Sequence, residues 1–322
     1  MTASLSVVLP YWLDRPPLEA IDIARNAAAA GYGELWAGEM MTFDAFALAS
    51  AIVRETSSMR IVVGPLAVGV RTPASLALGI ASVAALGGRR AELALGASTP
   101  LVVSDWHGQH SERPVARMRE TVAVLRQMLD GQRSSYAGSQ VRSQGFRLAG
   151  EPPHSTVTVA AFGARMIELA AEIADRVVVN LVSPAQVSRT RAAIERAARD
   201  AGRHAPPLAV WIPVAVDPGP ASCGQLARQL VVYVGAAGYG EMFAEAGFAD
   251  VVALARSGAH PRDIAAAIPR ALFEAVGAVG DLATVRARLD EYAAAGADEI
   301  GIVPVTAEDA GGARLLDALR RS

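Results

Sequence analysis

Eight short apolar runs, each followed by a longer alanine-rich stretch of helical character, constrain the fold of this chain more than any other feature. The runs are SLSVVL (4–9), ELWAG (34–38), RIVVGPLAV (60–68), RAELALG (90–96), TVTVAAF (156–162), RVVVNLV (176–182), LAVWIPVAV (208–216) and EIGIVPV (299–305). Strands that alternate with helices pair in parallel, because only a crossover of helical length returns the chain to the same edge of the sheet. Eight such units predict an α/β protein of the (β/α)8 barrel type. The alternative is a doubly wound sheet, but the first strand is not followed by the Gly-x-Gly-x-x-Gly turn of a dinucleotide fold. Two segments break the alternation. Residues 132–153 are polar and Gly-rich and predict a hairpin insertion after the fourth strand; 218–275 predict a helical insertion after the seventh, broken by Gly and Pro. The whole of 1–322 reads as a single domain.

Composition narrows the function classes. Hydrophobic residues make up 52% of the 322 positions, ample for a large core, and the net charge is only −2. Without a basic block, and with few aromatics, nucleic acid is not an expected partner. The N-terminus lacks the basic stretch and cleavage site of a leader, and no apolar run reaches membrane-spanning length. All 30 basic residues are arginine, which excludes a Schiff-base lysine and a Walker-type phosphate loop. The single cysteine, Cys223, excludes an internal disulfide and a cysteine metal cluster, and it reads as inert. These features predict a soluble cytoplasmic protein that acts on a small molecule.

In a barrel, the C-terminal ends of the strands build the site. Those ends here are Pro10-Tyr11-Trp12, Gly38-Glu39-Met40, Val68-Gly69, Gly96-Ala97-Ser98-Thr99, Ala161-Phe162-Gly163, Asn180-Leu181 and Pro304. They are apolar and aromatic with few ionisable groups, which suits a flat, largely uncharged ligand. Glu39 is either a proton-transfer or ligand-accepting carboxylate or a solvated or capping acid. The turn Phe162-Gly163-Ala164 runs from strand to helix and offers free amides to a phosphate, with Arg165 nearby; an ordinary βα turn is the other reading. DWHGQHSE (105–112) gathers two histidines and two acids in a loop, but no second histidine cluster joins them, so no metal site is predicted. His107 reads as a loop histidine over a pocket. Gly64-Pro65 inside the third run calls for a bulge, an edge or a strand start, and X-Pro is the pair that adopts cis most cheaply.

The stretches GYGELWAGEMMTFDAFALASAI, RIVVGPLAVGVRTPASLALGIASVAAL, RRAELALGASTPLVVSDWHG, TVTVAAFGARMIELAAEIADRVVVNLV and LDEYAAAGADEIGIVPV span nearly the whole chain in order. Together they resemble the luciferase-like monooxygenase superfamily, and within it the coenzyme F-420-dependent oxidoreductases of actinobacteria. The resemblance implies a (β/α)8 barrel and a deazaflavin coenzyme, F-420. A bulge with a cis peptide in the third strand, here Gly64-Pro65, would back the central ring of that coenzyme. It also implies cofactor contacts from Glu39, from Ala97, Ser98 and Thr99, from Ala161, Phe162, Gly163 and Ala164, and from Asn180. Glu39 and His107 are the candidate catalytic residues; Trp12, Met40 and Trp106 are placed on the substrate side. Met40 stands where the family often has a histidine, and Thr99 where its sugar-phosphate dehydrogenases have an acid. The expected activity is hydride transfer between F-420 and a small organic substrate, in a homodimer. An FMN-dependent monooxygenase of the same fold and a non-catalytic, ligand-binding barrel are the alternatives.

Overall fold

A computed structural model describes residues 3–39, 41–56, 58–88, 91–110 and 112–320. Met40, expected beside the substrate, lies outside the described residues, as do Arg90 and Ser111. The strands are β1 (Ser4–Val8), β2 (Glu34–Ala37), β3 (Arg60–Ala67), β4 (Ala91–Gly96), β5 (Ser135–Ala137), β6 (Arg142–Gln144), β7 (Val157–Ala160), β8 (Arg176–Asn180), β9 (Leu208–Val216), β10 (Ala278–Gly280) and β11 (Glu299–Pro304). The helices up to β9 are α1 (Glu19–Ala29), α2 (Ala45–Glu55), α3 (Pro73–Gly87), α4 (Pro114–Leu129), α5 (Ala164–Ile173) and α6 (Pro184–Asp200). Beyond it come α7 (Pro220–Val234), α8 (Tyr239–Phe243), α9 (Ala249–Arg256), α10 (Pro261–Ala267), α11 (Arg270–Val276), α12 (Leu282–Ala294) and α13 (Ala313–Arg320).

The sheet runs in the order β10-β9-β11-β1-β2-β3-β4-β7-β8, and β8 pairs again with β9, which closes the eight predicted strands into a parallel barrel. Two features go beyond the sequence reading. β10 adds a short ninth strand beside β9, and Leu101–Trp106, read as loop, forms a π-helical turn. β5 and β6 form a separate antiparallel pair.

Local chemistry explains the boundaries. Asp44 caps α2 by accepting from the Ala47 amide at 3.0 Å, and Asp281 caps α12 from Thr284 at 2.7 Å. Thr72 and Pro73 open α3, and Gly88 ends it in a left-handed conformation. β2, β4 and β11 are buried along their whole length, which is why they read as continuous apolar runs rather than alternating ones.

Within β3 the register against β4 shifts between Val63 and Leu66, and the Gly64-Pro65 peptide is cis. Gly64 has φ +125°, and a Cβ there would run into the Ala94 carbonyl and sit 2.8 Å from the Leu66 amide nitrogen. Only glycine fits that backbone.

Contacts divide the chain into two compact units. One comprises Met1–Gly31, Asn180–Arg189 and Val210–Ser322; the other comprises Tyr32–Val179 and Thr190–Ala209. The second unit packs Leu35, Trp36, Ile61, Val63, Leu93 and Val177 at its core, and the first Val7, Ile212, Val214, Ile300 and Ile302. Among the described residues no helix is long and apolar enough to cross a membrane.

Candidate active site

In the unit containing β2, β3, β4 and β7, the strand ends carry most of the predicted site. Glu39 follows β2, half-buried, and it is not a lone carboxylate. Arg71, four residues past β3, grips it at two points: Nε lies 3.1 Å from Oε2, and an Nη donates to Oε1. The same guanidinium bonds Asp44 and lies 5.1 Å from the centre of the Phe46 ring. Planar two-point contact of this kind fixes a carboxylate in orientation as well as position. For Asp44, burial opposes ionisation, but hydrogen bonds from Arg71 and the Ala47 amide prevail and hold its carboxyl below the ordinary value. The sequence reading stopped at Val68-Gly69 and passed over Arg71. The available signal was an arginine in the short connection between a strand and the Thr-Pro start of a helix.

At the end of β4, Ala97 is half-buried, and Ser98, in a left-handed conformation, and Thr99 are exposed. Thr99 begins the π-helical turn: its carbonyl accepts from the Val103 amide at 3.0 Å and its hydroxyl from the Val102 amide at 3.4 Å. Its side chain therefore acts locally, at the start of the turn. The turn leads to Trp106, 46% exposed, and to His107, Gly108 and His110, all exposed. Trp106 and His107 are thus accessible. Among the described residues, no group of three or more His, Cys, Asp or Glu is arranged to hold a metal ion.

At the end of β7, Ala161 is buried while Phe162, Gly163, Ala164 and Arg165 are exposed. Gly163, at φ +78°, turns the chain into α5 with no side-chain cap. The first helical hydrogen bond runs from the Ile167 N–H to the Gly163 carbonyl, 3.1 Å, so the amides of Ala164, Arg165 and Met166 lie ahead of it. A helix start with no acid in its first turn and an arginine at its second position favours an anion.

The other unit holds the remaining predicted residues. Trp12, expected beside the substrate, is 7% exposed, and its indole N–H donates to the Pro304 carbonyl at 2.9 Å. Its polar edge is therefore committed to tying β1 to β11. Asn180 ends β8, half-buried, and its side chain interacts with the phenols of Tyr233 and Tyr239. Burial pushes both phenols upward, and the Asn180 contact only partly offsets it. The rings meet edge to face, 5.0 Å apart, and Tyr239 also lies 6.2 Å from Phe243. The tyrosine pair was missed in sequence. Its signal was YVGAAGY (233–239), two tyrosines flanking a Gly/Ala break. Cys223 is a free, half-buried thiol.

Comparison with known proteins adds the family and the likeness of the fold. A coenzyme F-420-dependent oxidoreductase, so named, from Mycobacterium tuberculosis is 26% identical over 98% of this chain and 98% of its own. The fold matches that of a coenzyme F-420-dependent tetrahydromethanopterin reductase from Methanopyrus kandleri, with a TM-score of 0.82 at 19% identity, over 100% of this chain and 98% of that one. It also matches the oxygenating constituent of 3,6-diketocamphane monooxygenase from Pseudomonas putida, solved with FMN, with a TM-score of 0.72 at 17% identity over 100% and 98%. The family model described as luciferase-like monooxygenase covers residues 8–299, and the chain belongs to that family.

Proposed function

We propose that this protein is an oxidoreductase that uses coenzyme F-420 and acts on a small, largely apolar organic substrate by hydride transfer. The observation that carries the reading is the uncapped start of α5 at Phe162-Gly163. A phosphate-bearing coenzyme needs anion donors beside an open surface. The amides of Ala164, Arg165 and Met166, with the Arg165 guanidinium, supply that chemistry, and a Cβ at Gly163 would meet nothing within 4 Å. The residues therefore fit the group. F-420, when bound, supplies two-electron hydride chemistry at its ring.

In this reading the chain's own residues position and protect. Gly64 and Pro65 back the ring, and Ala97, Ser98, Thr99 and Ala161 line its surroundings, with Asn180 as a further polar contact. Glu39, oriented by Arg71, accepts a hydrogen bond from the coenzyme or manages a proton beside it. His107 is the exposed acid or base for the substrate, and Trp106 shields the substrate from water. The relative of M. tuberculosis that matches along its whole length favours F-420. The FMN-bound neighbour supports an FMN-dependent monooxygenase as the second reading.

The protein is further proposed to work in the cytoplasm as a homodimer. In support, α3 is apolar nearly all round, and Leu78 and Leu86 on it are 52% and 51% exposed. Titration of F-420 into Gly163→Val tests the coenzyme placement, since valine is strained at this backbone conformation and its branches crowd the approach to the amides. The affinity should fall about tenfold, equivalent to about 1.4 kcal/mol. Unchanged affinity would remove the phosphate from this turn.

A further inference from the structure

Arg117, near the start of α4, has no part in the roles assigned so far. We propose that Arg117, with the Thr121 hydroxyl one turn further along the helix, forms a second anion site, for a carboxylate or phosphate group of the coenzyme or of the substrate. The site is separate from the start of α5, and it stands whether or not the coenzyme is F-420.

Three observations converge. The first is an unmet charge. Arg119 and Arg126, on the same helix, pair with Glu172 of α5 and with Asp175 just beyond it. Arg117 is half-buried and forms no ion pair among the described residues, and its Nε is shut off from water with no hydrogen-bond partner. A guanidinium in that state has lost part of its hydration without compensation, and a bound anion removes the penalty. The second observation is the hydroxyl. Thr121 lies four residues on, so it shares a helix face with Arg117. It is 1% exposed, and among the described residues its Oγ1 also has no partner. A hydroxyl of this kind can donate to an oxyanion.

The third is placement. α4 comes after β4 and α5 after β7, two strands that pair in parallel, so both helices begin at the end of the barrel where sites are built. α4 opens without a side-chain cap and without an acid in its first turn. The Arg117 amide donates to the Arg113 carbonyl at 3.0 Å, which leaves the amides of Val115 and Ala116 ahead of the first helical bond. The helix dipole and the exposed Arg113 add positive potential there. Two acids are close in sequence. Glu112 is exposed ahead of the cap, and Glu120 is turned to the hairpin, where it accepts from the Ser139, Gln140 and Val141 amides. A neutral ligand would leave the Arg117 charge unmet, so the group this site selects is anionic.

The test uses the full chain without coenzyme, with thermal unfolding as the readout. Glutarate is the probe, its neutral diamide the control, and sodium chloride holds the ionic strength constant. Glutarate should raise the melting temperature saturably, and the diamide should not. Arg117→Met should melt no lower than the parent, because it removes a charge that has no partner. It should bind glutarate at least about tenfold more weakly, the equivalent of one hydrogen bond to a charged group. Thr121→Val should weaken glutarate about threefold; unchanged binding would remove the hydroxyl from the site. The loss in Arg117→Met should persist in a Gly163→Val background, which separates this site from the start of α5. Titration of F-420 into Arg117→Met then identifies the source of the anion. An affinity about tenfold lower assigns the site to the coenzyme, and an unchanged affinity assigns it to the substrate. No saturable response to glutarate, an equal response to the diamide, or a loss that vanishes in the Gly163→Val background would overturn the proposal. So would an Arg117→Met protein that melts markedly lower or binds glutarate as the parent does. The glutarate assay contains no F-420, so its failure leaves the coenzyme reading standing, and failure of F-420 to bind leaves the glutarate result standing.

Discussion

Replacing Arg176 by methionine should be among the most damaging single changes in this protein, although the residue is not among the predicted site residues. Arg176 opens β8, and its Nη1 lies 2.6 Å from Glu34 and its Nη2 3.2 Å from Glu92, the acids at the starts of β2 and β4. Its Nε is 3.2 Å from the Thr158 hydroxyl, and its guanidinium carbon sits 4.4 Å above the Trp36 ring. The side chains of Arg176, Glu34 and Glu92 are 12%, 6% and 12% exposed, so this is a buried network. Removing one partner of such a network costs about 3–5 kcal/mol, chiefly because the remaining charges stay buried and uncompensated. Arg60 tempers this, being 62% exposed and 3.0 Å from Glu34, which places the expected loss near the lower limit, about 3 kcal/mol. Urea unfolding at neutral pH is the assay. With a slope of about 3 kcal/mol/M, the midpoint should fall by about 1 M. The combined variant Arg176→Met, Glu34→Gln, Glu92→Gln should recover most of the loss, since no buried charge is then stranded. A loss below about 1 kcal/mol in the single variant, or no recovery in the combined one, would refute the reasoning.

Two further outcomes follow from the same structure. Gly64→Ala should cost more than about 3 kcal/mol, read from thermal or urea unfolding, because the added methyl meets backbone atoms that cannot yield and φ is positive. Glu120 holds the hairpin turn onto α4 by accepting from the amides of Ser139, Gln140 and Val141 at 3.0, 2.7 and 2.7 Å. Burial raises the Glu120 carboxyl, but these bonds outweigh it and leave the group below its ordinary value of 4.5. Its contribution is therefore complete above that value and lost as pH falls through the lower, folded one. Glu120→Gln should cost about 2 kcal/mol at pH 7, and the difference from the unsubstituted protein should shrink as the pH falls below the ordinary carboxyl value of 4.5. A difference independent of pH would show that the ionised form is not what the hairpin uses.

Much of the barrel was legible because its strands are buried on both faces. LAVWIPVAV coincides with β9 end to end. RVVVNLV overshoots β8, because Leu181 adopts φ +54° and leaves the strand after Asn180. The strand starts Glu34, Arg60, Glu92 and Arg176 were visible as charges bordering apolar runs, but their pairing depends on the barrel register and not on local pattern. The π-helical turn at 101–106 was hidden by its apolar start, Leu-Val-Val, which continues the character of β4. The same limit applies to the site. Gly64-Pro65 and the Phe162-Gly163 turn announce themselves by backbone chemistry. The grip of Arg71 on Glu39 is made across 32 positions and the convergence of Tyr233 and Tyr239 on Asn180 across more than 50. No spacing rule reports contacts of that kind.

The central claim is the identity of the coenzyme, and paired equilibrium titrations of the purified protein with oxidised F-420 and with FMN, under identical conditions, test it most directly. The account predicts that F-420 binds at least about tenfold more tightly. FMN binding more tightly would contradict it and move the protein to the monooxygenases of the same fold.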